Sequence, residues 1–380
     1  MLMKNLSEFR KFLHSHPELS GNENNTKDAV LRFISEFSKG KPIFSIYKNI
    51  GENSLALIID SNNSGKNVVI RADLDALPID ENIFSPYSST IKGVSHKCGH
   101  DGHTAILTGL ALELSENLIN IGKVMLLFQS AEETGEGAEK VLEDKVFIDF
   151  NPDFIFGFHN LPEKPLNKLY FKYDTFAMAS TGLIIKLIGK SSHAAEPEKG
   201  INPAVAISEL IKGIDKIKNN NTINDFALIT FIHINLGEKS FGTSAGSGNI
   251  MLTLRANTDE YLEKILKKIN SITTSICKKN NLGFELELTE TFPSTVNNHL
   301  AVEMLINNAD NNMFDYEILD SPFRWSEDFG HYLKNIPGAY FGIGAGENCP
   351  PLHSPDYDFP DEIIDNSVKY LKTLVLSVCR

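Results

Sequence analysis

Eight consecutive residues, His96, Lys97, Cys98, Gly99, His100, Asp101, Gly102 and His103, collect three imidazoles, a thiol and a carboxylate. Packing has little use for such a set, whereas a metal ion does. Glycines at 99 and 102 leave the backbone free to turn tightly, so neighbouring side chains can converge on one point. Cys98 and His100, two apart, offer a thiolate and a neutral imidazole, donors suited to zinc and its first-row neighbours.

Further ligand-type residues stand where apolar runs stop. The run Val68 to Ala72 is followed by Asp73 and Asp75, two carboxylates at i and i+2 that share a face if the strand continues. Val124 to Gln129 leads into Glu132 and Glu133, adjacent acids that project differently, so that one can bind a metal while the other reaches its water. Phe154 to Phe158 ends on His159, and His353 sits between Pro351 and Pro355 in a restricted backbone. An isolated Asp-x-Asp or Glu pair reads as a turn or a solvated loop. Three successive strands with ligand-capable ends read as a site, because open α/β sheets place their chemistry at the carboxyl ends of strands.

The elements that must carry these groups follow from periodicity. Residues 5–15 and 26–38 have helical apolar spacing, and the link between them holds His14 and His16, expected to serve a capped helix end. Leu55 to Ile59 reads as another buried strand, and Thr104 to Leu118 as an amphipathic helix. From about 175 the order becomes strand (182–189), helix (203–217), strands (226–234 and 249–256), helix (259–278) and strand (284–289). This is the βαββαβ order of a ferredoxin-like sandwich, inserted into the first domain, with 216–224 as a surface loop. A helix near 298–308, a segment capped by Ser326 and running to Leu333, a strand and glycine-rich turn over 338–346 and a closing helix from Asp361 to Cys379 complete the chain. The expected fold is α/β with two domains, 1–175 with 291–380 and 176–290.

The 380-residue length favours two cores over one. With 36 basic against 49 acidic side chains, the formal charge of −13 argues against nucleic acid or an anionic membrane as partner. No signal-peptide core or membrane-length apolar run is visible, and Cys98, Cys277, Cys349 and Cys379 are too scattered for a secreted disulfide framework. A reduced, cytoplasmic protein is expected.

Asp73-Leu-Asp-Ala-Leu-Pro78, the 96–104 cluster, Ala131-Glu-Glu133, Gly157-Phe-His159, Ser192-His193-Ala-Ala195, Ser326-Glu-Asp-Phe329 and His353-Ser-Pro355 occur in the order of a known family. The chain resembles the metal-dependent amidohydrolases and metallopeptidases that include hippurate hydrolases, indole-acetyl-amino-acid hydrolases, aminoacylases and related carboxypeptidases. The resemblance implies a dinuclear-metal catalytic domain interrupted by a lid and dimerisation domain. It implies Cys98, His100, Glu133, His159 and His353 as ligands of two divalent ions (Zn, Mn, Co or Ni), with Cys98 bridging. It makes Glu132 the general base, Asp75 a carboxylate that orients a ligating histidine, His193 a lid histidine serving the partner of a homodimer, and Arg255 a contact for the substrate's carboxylate. Many relatives carry Asn-x-Ile-Pro before that arginine, where this chain has Gly242-Thr243-Ser244-Ala245.

The implied reaction is hydrolysis of the amide bond of N-acyl amino acids. Ions about 3.5–4 Å apart hold a water whose proton passes to Glu132, and His193 donates to the developing oxyanion. The alternative is a carboxypeptidase or dipeptidase acting on small peptides. A non-catalytic metal-containing binding protein would be expected to have lost Glu132, which is present.

Overall fold

The computed structural model describes residues 2–37, 44–82, 84–116, 119–219 and 226–379. Leu118 and the part of the expected 216–224 loop beyond 219 lie outside the described residues. The chain separates into two units, Met1–Phe176 with Thr295–Ser321 and Asp328–Arg380, and Ala177–Ser294 with Pro322–Glu327. The first unit was expected to take all of 291–380, but 291–294 and 322–327 belong to the second. The strand Gly283–Phe292 outlasts its apolar signal, and the Met178 amide donates to the carbonyls of Phe323 and Trp325, both at 3.1 Å.

The first unit is built on an eight-stranded sheet in the order Ser45–Ile50, Ser54–Asp60, Lys123–Gln129, Asn67–Asp73, Phe154–Leu161, Gly338–Gly344, Leu169–Phe171 and Tyr316–Ile318. Its four central strands run parallel, and their β-branched and aromatic residues are buried on both faces, as parallel strands covered by helices require. Burying a side chain such as Ile70, Leu126 or Phe156 is worth about 1.5–3 kcal/mol. Register matters most for function. Asp73 pairs with Gln129 and Arg71 with Gly157, so three strands reach their carboxyl ends side by side.

The helix His100–Glu116 begins four residues before its expected start and is buried almost all round, not amphipathic. It packs against the sheet on one side and against Leu2–Ser15 and Ile364–Val378 on the other. No polar face survives between two layers.

The second unit has the expected chain order. Its antiparallel sheet runs Ala227–Leu236, Ser247–Ala256, Ala179–Ile188, Gly283–Phe292, the strand order of a ferredoxin-like fold. Leu183, Ile185 and Leu187 alternate inward against the helices Ala204–Asp215 and Asp259–Lys279, and the Thr258 hydroxyl caps the latter by accepting the Tyr261 amide at 3.2 Å. A short ribbon, Ser192–His193 with Thr243–Ser244, was not anticipated. Nor does Ser326 cap a helix: the turn Gly330–Leu333 has Phe329 at its start without a side-chain cap, and the Ser326 hydroxyl accepts from Arg255. Among the described residues no helix is long and apolar enough to cross a membrane.

Candidate metal centre

Parallel register delivers Asp73, Gln129 and His159 to one edge of the sheet, and the loops beyond those strands carry Asp75 and the Glu132–Glu133 pair. Gly99 takes a φ of +94°, and a Cβ there would lie 2.5 Å from the Asn160 side chain, so only glycine lets the Cys98 turn approach that strand. His353 has a φ of +63°, and its amide donates to the Lys97 carbonyl at 2.8 Å, which ties this late loop to the Cys98 segment.

Ligand atoms of Cys98, His100 and His159 lie within 4.8 Å of one another, as do those of Cys98, Glu133 and His353, and those of His100, Glu132 and Glu133. All five expected ligands and the expected base are therefore brought together within the first unit. The Cys98 sulfur is 3.4 Å from His159 Nε2, and Glu133 Oε1 is 3.8 Å from both His100 Nε2 and His353 Nε2.

Their neighbours fix which atoms face inward. The Nδ1 atoms of His100 and His159 lie 2.9 and 2.8 Å from the carbonyls of Asp75 and Asn160. A carbonyl can only accept, so Nδ1 carries a proton in both rings and Nε2 is the nitrogen that can face an ion. His100 Nε2 and Glu133 Oε1 are buried and have no hydrogen-bond partner, an arrangement that costs free energy unless a cation completes it. Burial opposes charge on His100, yet facing Asp73, Asp75 and Glu133 raise its imidazole to about 10. Burial pushes Glu133 up to about 7. The His100 shift expresses the surplus of negative charge around that ring, which a divalent ion would neutralise, and the mixed S, N and O donor set suits a first-row metal.

Asp75 braces this arrangement. Its Oδ1 lies 3.2 Å from His100 Nδ1, while Oδ2 accepts from the Ser20 hydroxyl at 2.7 Å and the Glu133 amide at 2.9 Å. Asp73 also stands against His100, with Oδ1 3.7 Å from Nε2. It bonds His103 at 2.6 Å and the buried Arg71 at 2.7 Å, and Arg71 also reaches Gln129 and Asp328. His103 in turn bonds Asn160 at 2.6 Å, so its two nitrogens are engaged and it braces the centre without being free to bind an ion.

His14 overturns the reading of a simple capped end. It is buried, with Nδ1 2.8 Å from Asp101 and Nε2 2.7 Å from Glu81, inside an ion network that includes Arg10 and Lys97. His16 does close its helix, through the Phe12 carbonyl at 2.9 Å.

In the second unit His193 stands exposed on its two-residue strand. Its Nδ1 accepts the Ala195 amide at 3.1 Å, which leaves Nε2 to carry the proton of the neutral ring. Arg255 Nη1 donates to the Arg324 carbonyl at 2.9 Å and the Ser326 hydroxyl at 3.0 Å, neutral acceptors both, and burial lowers its pKa.

Residues 69–377 match the model of peptidase family M20/M25/M40. The chain is 31% identical over 379 residues to a hippurate hydrolase of Campylobacter jejuni, covering 99% of this chain and 97% of that one. It is 33% identical over 375 residues to an N-acetyl-L-cysteine deacetylase of Bacillus subtilis, covering 97% and 87%. A solved Bacillus subtilis structure, described as a dinuclear metal-binding peptidase, superimposes with a TM-score of 0.84 at 25% identity, covering 100% of this chain and 98% of that one. With its motifs in order and these matches running nearly end to end, the chain belongs to peptidase family M20/M25/M40 and is a hydrolase acting on amide bonds.

Proposed function

We propose that the protein hydrolyses N-acyl amino acids at a centre where Cys98, His100, Glu133, His159 and His353 would hold two divalent ions. The convergence of Glu132, Glu133 and His100 atoms within 4.8 Å carries the reading, because it sets a carboxylate base beside ligating groups. Ions bound there would supply Lewis acidity and a lowered water pKa. Glu132 takes a proton from the attacking water and returns it to the leaving amine. Asp75 and the Asn160 carbonyl hold the two imidazoles so that Nε2 faces inward. His193 donates from Nε2 to the oxyanion in the partner of a homodimer, and Arg255 receives the substrate's carboxylate.

The substrate class is supported by the two curated relatives, both of which are named for acylated amino acids. The four free cysteines support a reducing, cytoplasmic location. A carboxypeptidase or dipeptidase is the second reading, favoured by the peptidase description of the solved relative. Assays of N-acetyl-, N-benzoyl- and indole-acetyl-amino acids beside dipeptides, with zinc, manganese, cobalt and nickel, separate the two. Turnover of acylated amino acids above dipeptides is the expected result, and dipeptides alone being cut would overturn it.

A further inference from the structure

The acidic turn hangs on a carboxylate that belongs to none of the motifs. Glu23, immediately before the helix Asn24–Phe37, is fully buried, and its Oε1 accepts the amide of Ala131 at 2.9 Å. Ala131 has a φ of +55°, a conformation that residues other than glycine adopt only when their surroundings enforce it. The next two residues are Glu132 and Glu133. The rest of the turn is tied in the same manner, with the Ser130 amide on the Ser54 hydroxyl at 3.1 Å and the Glu133 amide on Asp75 at 2.9 Å.

The charge on Glu23 is compensated from the opposite side. Its Oε2 accepts from the Asn53 amide nitrogen, and the Asn53 oxygen accepts from the buried ammonium of Lys27, which also reaches Asn49 at 2.8 Å. A lysine can only donate, so the direction of the Asn53 amide is settled, and each bond in the chain from Lys27 to Ala131 pairs a donor with an acceptor. Both oxygens of Glu23 are thereby occupied, which makes it a support and not a ligand.

We propose that Glu23 is a positioning residue of the centre: through the Ala131 amide it sets the backbone from which the base Glu132 and the ligand Glu133 project. The proposal rests on the roles given to those two glutamates above. Glu23→Gln keeps the size but turns an NH2 group toward the Asn53 NH2 group or the Ala131 amide, and either donor clash releases the turn. Asn53→Asp sets two carboxylates against each other. The double variant Glu23→Gln with Asn53→Asp restores every match: the carboxylate introduced at position 53 accepts from both Lys27 and the new NH2 group, while the amide oxygen introduced at position 23 accepts from Ala131.

Zinc affinity, measured by competition with a chromophoric chelator, and kcat and KM on N-benzoylglycine are compared across the three variants of the full chain. Each single substitution is expected to lower zinc affinity and kcat by about 10–100-fold with KM little changed, and the double variant to recover most of both. Wild-type zinc affinity and kcat in Glu23→Gln would overturn the proposal. So would a double variant as impaired as the singles, or one that fails to fold. Where Glu23→Gln alone does not fold, the double variant is compared with Asn53→Asp. The zinc measurement needs no substrate, so a wild-type protein inactive on N-benzoylglycine would count against the substrate reading and leave this one standing.

Discussion

The two places that chemistry points to are built differently. In the ligand cluster of the first unit Cys98, His100 and His159 are buried, Glu133 is partly buried and His353 is exposed, and the inner members are aimed by groups that are aimed in turn: Asp75 holds His100, Ser20 holds Asp75, and Asp73 and Asn160 hold His103. His193 of the second unit is exposed on a two-residue ribbon, with one backbone amide setting its tautomer. A cluster that must hold ions in a fixed geometry before substrate arrives needs such bracing, whereas a group that acts only when charge develops needs one correctly placed proton. The difference teaches that damage to the first region should register in the protein without substrate, and damage to the second only in turnover.

Metal removal gives the sharpest test of that division and the largest effect. Chelation should abolish turnover, and re-addition of a first-row divalent ion should restore it, with the Cys98 thiol alkylated much faster in the stripped protein. An alkylation rate indifferent to metal would take Cys98 out of the ligand set.

His193→Ala should lower kcat by about 10²–10³-fold while metal content stays at the wild-type level. Subunit exchange between His193→Ala and Glu132→Gln should restore roughly a quarter of wild-type sites, since half of the dimers become mixed and one site of each holds both groups. No recovery despite exchange would remove the shared site from the account.

A smaller loss is expected on the braced side. Asp75→Asn should cost about 10–100-fold in metal affinity, because it weakens the hold on His100 and on the Glu133 amide together. Unchanged affinity would mean that the bracing is incidental.

The smallest effect concerns stability. Burial disfavours the charged His14 ring, but its bonds to Asp101 and Glu81 outweigh burial and raise it to about 9. A folded pKa above the unfolded value stabilises below that unfolded value, and the contribution is lost as pH rises through about 9. The rise from 6.5 to about 9 is worth at most about 3 kcal/mol. The melting midpoint of wild type should therefore exceed that of His14→Leu most at pH 6, and the gap should narrow toward pH 10. A constant gap would show that the ring is neutral in the fold.

What could be read from the chain was whatever announced itself locally. Cys98, His100, the Glu132–Glu133 pair, His159 and His353 all stand beside a glycine, a proline or the end of an apolar run, and those neighbours carry the signal. The inserted unit was legible because its helices and strands each have one exposed side, so their periodicity survives. Ser20, Glu23, Arg71 and Asn160 left no such trace. Each is one polar residue whose partner lies far along the chain, as with Ser20 and Asp75 or Arg71 and Asp328. The helix from His100 misled for a related reason, since burial on all sides removes the polar stripe that would have revealed its packing. Ser326 failed because a hydroxyl that could cap a helix serves equally well as an acceptor for Arg255.

The central claim is that one glutamate of the acidic pair works as base while its neighbour binds metal. Glu132→Gln tests it most directly, by counting metal per chain and measuring turnover on the same preparation. The expected result is a wild-type metal count with kcat reduced by about 10²–10⁴-fold, because the amide keeps its shape but cannot take a proton. Turnover retained at an unchanged metal count would contradict the assignment.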